Sequence, residues 1–362
     1  MDPVNEAPLV YDLDFDELTS FVSRQGEPGF RARQIWHGLY RRLSEDPSSL
    51  TDLPAPFRSR LAEALRFDSG EVLATAHSQD GGTEKAVLRL RDGVEIEAVL
   101  MRYRHRRTAC ISTQAGCAMG CVFCATGQMG FARNLTSGEI VVQVLHFARR
   151  LAAEGESLTN VVVMGMGEPF HNYDATLAAI DRLNDPDGFD FGARRFTIST
   201  VGLVPMIERF TEENRQVNLA VSLHAATDEL RSRLLPINRR YPLGELIPAC
   251  RGYVERTRRR LSFEWALIEN VNDTPEQAEA LASLLSGLTC HVNLIPLNPT
   301  QRYGGQGSPR ERAAGFRDRL RFHGIPCTVR LRRGIDIQAG CGQLATERRS
   351  REPGSASSAG GA

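Results

Sequence analysis

Residues 117–131 read CAMGCVFCATGQMGF, placing Cys117, Cys121 and Cys124 in a C-x3-C-x2-C spacing just after the apolar run TACIST. Three thiols this close together have few uses. A disulfide framework is disfavoured, because the count is odd and the N-terminal stretch MDPVNEAPLVYDLDFDEL lacks the basic-then-apolar order of a secretory signal. A structural zinc site takes four ligands, often as two C-x2-C pairs, and no second pair is present. An iron–sulfur cluster held by three thiolates leaves one iron with an open position, the logic of a catalytic site rather than a structural one.

The elements around this segment indicate the fold class. From about residue 108 onward, apolar runs (TACIST, TNVVVMG, RFTIST, VNLAVSL, SFEWALI, CHVNLIPL, PCTVRL) alternate with helical stretches such as SGEIVVQVLHFARRLAAEG and PEQAEALASLLSG. Near-continuous apolar runs fit parallel strands covered by helices, so an α/β barrel or partial (β/α) barrel is expected, with its chemistry at the strand C-terminal ends. Residues 14–66 read as helical, and EVLATAHS, EKAVLRL and VEIEAVLM read as three short strands, the first two joined by a DGG turn. We therefore expect an accessory unit over residues 1–100, a core over 101–347 and a disordered tail over 348–362, where SREPGSASSAGGA is small and polar.

The chain of 362 residues has a formal net charge of zero and no apolar run long enough to span a membrane, which argues against a membrane protein or a broadly polyanion-seeking one. A cytoplasmic location is expected. Basic residues are almost all arginine, and Lys85 is the sole lysine. Arg102, Arg104, Arg106 and Arg107 cluster in MRYRHRR, and Arg256, Arg258, Arg259 and Arg260 in RTRRR. Each cluster reads either as a solvated charged face or as a local phosphate-binding patch.

The cysteine spacing on the first βα loop resembles that of the radical S-adenosylmethionine (radical SAM) enzymes. MGMGEPF follows the second core strand, where that superfamily binds the methionyl amino group; alone, it reads equally as a glycine turn with an incidental glutamate. GCAMGCVFCATGQMGFARNLTSGEI, GEPFHNYD, ISTVGLVP, AVSLHAATDELR, NLIPLNP and AGCGQLA together resemble the RlmN-type adenine-C2 methyltransferases and their Cfr relatives, over nearly the whole chain to about residue 347. The resemblance implies a radical SAM core, a [4Fe-4S] cluster, S-adenosylmethionine (SAM), and methylation of carbon 2 of an adenine in 23S rRNA. Many such enzymes also modify the adenosine 3′ of the tRNA anticodon. An electron donor such as flavodoxin or ferredoxin and a monomeric state are expected.

Carbon 2 of adenine is electrophilic, so direct methyl transfer from SAM is poor chemistry. In the family mechanism one SAM methylates a cysteine. A second SAM yields a 5′-deoxyadenosyl radical that takes hydrogen from that methyl group, and the carbon radical attacks the base. By resemblance Cys341 carries the methyl, and Cys110 resolves the adduct and forms a disulfide with Cys341. Glu97 matches the family's proton acceptor, although Cys110 could remove the same proton. The SAM contacts carry over to Gly167, Glu168, Ser199, Ser222, Leu223, His224 and Asn298, and the cluster ligands are Cys117, Cys121 and Cys124. Phe123 either shields the cluster, packs near the cofactor adenine, or is core.

Each residue also has a plainer reading. Cys110 and Cys341 could be small buried hydrophobes, as Cys250, Cys290 and Cys327 are expected to be. Glu97, like Glu95, could be a solvent-facing strand carboxylate, and His224 a packed core histidine. Ile335 and Gly340 depart from the family's usual tail without removing a chemical group. A Cfr-like carbon-8 methyltransferase and a non-enzymatic iron–sulfur RNA-binding protein are the rival readings; the second leaves Cys110 and Cys341 unexplained.

Overall fold

The computed structural model describes residues 7–68, 70–300, 302–330 and 336–337. Cys341, Ile335 and Gly340 lie outside the described residues.

Three helices open the chain: α1 (Phe15–Arg24), α2 (Phe30–Tyr40) and α3 (Ala55–Ala64). Asp14 begins α1 with a capping box, accepting from Glu17 N–H while the Glu17 carboxylate accepts from Asp14 N–H. This unit docks on the core through specific polar contacts. Asp12 accepts from Gly138 N–H at 2.7 Å, the Arg182 guanidinium donates to the Tyr11 carbonyl at 2.9 Å, and Trp36 Nε1 donates to Asp185 at 2.9 Å. A Cβ at position 138 would lie 2.8 Å from the Asp12 backbone nitrogen, so the approach requires glycine.

Strands β1 (Gly70–His77), β2 (Thr83–Leu90) and β3 (Glu95–Arg102) form an antiparallel meander, and β3 pairs antiparallel with β4 (Arg107–Cys110). The sheet then turns parallel through β7 (Asn160–Val163), β8 (Phe196–Thr200), β9 (Asn218–Ser222), β10 (Leu261–Leu267), β11 (Cys290–Pro296) and β12 (Cys327–Val329). One ten-stranded mixed sheet therefore joins the three N-terminal strands to the βα core. The seven runs expected as parallel strands all lie in it.

Helices α5 (Ser137–Ala152), α6 (Tyr173–Asn184), α7 (Val204–Glu213), α8 (Asp228–Leu234), α9 (Leu243–Thr257), α10 (Pro275–Leu284) and α11 (Arg310–Phe322) follow or separate these strands. Apart from Leu230 and Leu234 of α8, which belong to a second, smaller cluster, their buried apolar residues join those of the sheet and of α1–α3 in one core that includes Trp36, Phe147, Phe210 and Trp265. Helix α5 starts on a second capping box, Thr136 with Glu139.

Between β4 and α5 lies a feature the residue pattern does not announce. A two-stranded hairpin, β5 (Gln114–Gly116) with β6 (Phe131–Asn134), brackets the cysteine segment and the five-residue helix α4 (Ala125–Met129). Its strands are too short to show a period of two. The loops after β7, β8, β9 and β11 follow the C-terminal ends of the parallel strands, as the barrel reading expects.

Candidate functional site

The cysteine loop rests on an apolar floor. Met119, Cys121, Val122 and Phe123 pack on a buried cluster that includes Val201, Leu234, Ile268 and Leu297. Val122 N–H donates to the Leu234 carbonyl at 3.1 Å, and the Gln128 side chain donates to the Val122 carbonyl at 2.7 Å and to Thr300 Oγ1 at 3.0 Å. Burial pushes the Cys117 thiol up to about 12 and Cys121 well above its ordinary value, and the neighbouring Cys124 and Cys117 raise Cys121 further. Unaided, these thiols stay protonated; becoming ligands requires a strong positive charge at the site.

The donor set fits a cluster: Cys121 lies close enough to Cys117 and Cys124 for each to raise its thiol, and these three soft sulfur donors would hold a [4Fe-4S] cluster. A buried cation also stands nearby. Arg231, fully buried, donates to the carbonyls of Val201 (2.6 Å) and Leu223 (3.2 Å) and to Asn238 Oδ1 (2.8 Å). Its charge lowers the Cys121 thiol, and it would favour an anionic thiolate-bound cluster.

Beside the thiols, Gly167 has φ +104, and a Cβ there would meet the Gln114 side chain at 2.6 Å. Glu168 follows, buried, with one carboxylate oxygen accepting from Phe170 N–H (3.0 Å) and the other from Val201 N–H (2.8 Å). Burial outweighs these hydrogen bonds and raises its carboxyl from the ordinary 4.5 to about 7. The Ser199 and Ser222 hydroxyls lie 3.4 Å apart across β8 and β9. Leu223 is buried, and Asn298 is half-buried in the loop after β11.

His224 is both a loop residue and a buried one, at φ +58. Its Nδ1 accepts from Ala266 N–H at 2.9 Å, which fixes the Nε2–H tautomer, and burial pushes its pKa down to about 3. It is therefore a neutral ring. Phe123 meets it edge-on, with centroids 5.0 Å apart.

Cys110 and Glu97 share one face of the sheet. Val99 lies opposite Cys110 in the β3–β4 register, and Glu97 is two residues from Val99. Glu97 is buried, which rules out the solvent-facing reading, and Glu95 is buried beside Arg89 at 3.3 Å. Glu97 N–H points to Met166 Sδ at 3.2 Å, and Ser112 Oγ donates to the Glu97 carbonyl at 2.6 Å. Burial, reinforced by the nearby Glu97, pushes the Cys110 thiol up to about 12, against the opposing effects of a backbone hydrogen bond from Met164 and the charge of Arg330. Cys250, Cys290 and Cys327 are buried in the core, as expected.

Comparison with known proteins decides the family. Residues 111–284 match the radical SAM superfamily, and residues 10–66 match the ribosomal RNA large subunit methyltransferase N-terminal domain. A dual-specificity RNA methyltransferase RlmN of Myxococcus xanthus is 52% identical over 354 residues, 96% of this chain and 98% of that relative. The chain belongs to the RlmN family. A probable dual-specificity RNA methyltransferase RlmN of Chloroflexus aurantiacus is 50% identical over 94% of this chain and 93% of the relative. The crystal structure of a radical SAM methyltransferase from Sphaerobacter thermophilus superposes with a TM-score of 0.91 at 52% identity, covering 92% of this chain and 98% of that one.

Within this RlmN-family chain the expected site residues fall into two groups. The three cysteines, Gly167, Glu168, Ser199, Ser222, Leu223, His224 and Asn298 lie at or just beyond the strand C-terminal ends, and on the β3–β4 face Cys110, the last residue of β4, and Glu97, against Ser112 and Met166, lie toward that same end. Met101 and Thr108, on that same face, line a polar cavity of about 1280 Å³. It also takes in Asn160, Asn218, Ser262 and His291, each within the first two residues of a parallel strand, so it lies toward the opposite end from the cysteine loop.

Both arginine clusters reach this cavity, in part. Arg106, Arg194, Arg258, Arg259, Arg260 and Arg330 line it, against one carboxylate, Glu264, among the described lining residues. Arg194 and Arg259 both donate to the Gln216 amide oxygen, at 3.2 and 3.1 Å. Arg102 and Arg107 are instead held by Glu156, and Arg256 lines a separate groove with Glu208, Glu212 and Glu245.

Sequence reasoning assigned no role to Gln114 or Arg231. Gln114 accepts from Glu168 N–H (2.9 Å), donates to Asn134 (2.8 Å) and lies 3.0 Å from His171 Nδ1, joining the cysteine hairpin to the glutamate loop. Arg231 ends the motif AVSLHAATDELR, and its burial could not be read from the motif.

Proposed function

We propose that this enzyme methylates carbon 2 of an adenine in 23S rRNA, and of the adenosine 3′ of the anticodon in tRNA. The supporting observation is the pairing of Cys110 and Glu97 on one sheet face with Met101 and Thr108, which line a polar cavity rimmed by arginines. When bound, the cluster and SAM supply the methyl group and the one-electron chemistry. The chain's own residues do the rest. Cys117, Cys121 and Cys124 hold the cluster on a dry floor, which excludes water from it. Glu168, Ser199, Ser222, His224 and Asn298 bind SAM, with the Glu168 carboxylate suited to an ammonium. Cys341 carries the methyl. Glu97 accepts the carbon-2 proton, and Cys110 resolves the adduct with Cys341.

RNA phosphates sit against the guanidiniums at the cavity mouth, which offset the few kcal/mol needed to unstack the adenine. In this reading residues 1–100 form the accessory unit beside a 101–347 core, although β1–β3 continue the core sheet. No helix among the described residues is long and apolar enough to cross a membrane. A cytoplasmic monomer reduced by a flavodoxin- or ferredoxin-type donor completes the proposal.

The test is nucleoside digestion and mass spectrometry of RNA modified by the reconstituted enzyme, against authentic 2-methyl- and 8-methyladenosine. 2-Methyladenosine supports the proposal. 8-Methyladenosine moves the enzyme to the Cfr-like reading, and no methylated base together with no 5′-deoxyadenosine would leave an RNA-binding iron–sulfur protein.

A further inference from the structure

Lysine occurs once among the 44 Lys and Arg residues of this chain, and that lysine, Lys85, is fully buried. Its Nζ lies 3.7 Å from Glu97 Oε1, where Glu97 is 3% exposed. The geometry follows from the sheet. Lys85 lies opposite Val99 and Glu97 opposite Val87, so the two side chains are diagonal neighbours on the face that also carries Cys110.

A carboxylate this deeply buried takes up a proton unless a positive charge stands beside it. A protonated carboxyl cannot serve as a proton acceptor. The Lys85 ammonium supplies such a charge, in ion-pair contact with Oε1 at 3.7 Å. A lysine suits the place better than the arginine used elsewhere in the chain. An ammonium is a compact point charge, whereas a guanidinium forks around a carboxylate and occupies both of its oxygens.

We propose that Lys85 is a positioning residue that keeps Glu97 ionised. The proposal rests on the reading of Glu97 as proton acceptor.

Infrared difference spectra of the full-length protein at neutral pH read the charge directly, without turnover. Lys85→Met is expected to show a carboxylic-acid carbonyl band that is absent from the wild type and abolished in Lys85→Met/Glu97→Gln. Lys85→Arg, which keeps the charge, is expected to show no band; it also serves as the second variant should Lys85→Met fail to fold. A Glu97-dependent acid band in the wild type, or no band in Lys85→Met, overturns the proposal. If only Lys85→Arg folds, an acid band in it overturns the proposal, and its absence supports it.

Single-turnover assays then separate this idea from its premise. Both Glu97→Gln and Lys85→Met are expected to slow RNA methylation at least tenfold while still accepting methyl onto the protein from SAM. A fully active Glu97→Gln removes the premise. An impaired Glu97→Gln beside a fully active Lys85→Met removes the role of Lys85 alone.

Discussion

The Glu168 carboxylate accepts a hydrogen bond from Val201 N–H at 2.8 Å, which fastens the loop after β7 to the loop after β8. The same carboxylate is buried, and its folded pKa is raised from 4.5 to about 7. A carboxyl with a raised folded pKa contributes stability that is fully present below the unfolded value and is lost as pH rises through the folded one. For Glu168 that window runs from about 4.5 to about 7, and the loss amounts to about 3 kcal/mol.

Urea unfolding of the cluster-free protein should therefore show wild type losing ground to Glu168→Ala as pH rises from 5 to 8. A stability gap between the two that does not change with pH would show that Glu168 is already ionised in the folded state.

The thiol loop makes a second prediction. Anaerobically reconstituted protein should bind about four irons per chain. Simultaneous replacement of Cys117, Cys121 and Cys124 by alanine should abolish that binding, as read by iron analysis and the visible absorption of the cluster. Retention of the cluster in the triple variant would mean that other residues hold it.

The arginine rim divides the basic clusters into two kinds. Arg106, Arg258 and Arg260 are exposed at the cavity, and their change to alanine should weaken RNA binding and flatten its dependence on salt, by about 0.7 to 0.9 in the logarithmic slope for each phosphate no longer neutralised. Arg107→Ala should leave that slope unchanged, because its guanidinium is held by Glu156. Equal slopes for all four variants and the wild type would make the rim a solvated surface.

Cys110 and Cys341 should fail differently. Cys341→Ala should neither accept methyl from SAM nor modify RNA. Cys110→Ala should accept methyl, attack the base and then stall, giving a protein–RNA adduct visible as a shifted band on a denaturing gel. Two merely buried thiols would lower stability without trapping RNA. Normal turnover by Cys110→Ala would remove it from the resolving step.

Much of this protein was legible in its sequence, for a physical reason. The seven apolar runs found the parallel strands because a strand buried on both faces must be apolar along its length. The C-x3-C-x2-C spacing and GEP were legible because they belong to single loops. Their residues come together wherever the chain goes.

Only the tertiary structure could decide what depends on register and on distant segments. Burial of Glu97 follows from the pairing of β2, β3 and β4, since VEIEAVLM by itself looks like a strand with one wet face. The partnership of Lys85 with Glu97 follows from the same register. Gln114 and Arg231 gained their roles from loops more than 30 residues and about eight to thirty residues away, respectively. The arginine clusters looked alike in sequence. Position relative to Glu154 and Glu156 committed Arg102 and Arg107 to ion pairs, while Arg106 and Arg258–Arg260 turned to the cavity. Charge is a property of the residue; whether it is neutralised depends on which neighbours the fold brings to it.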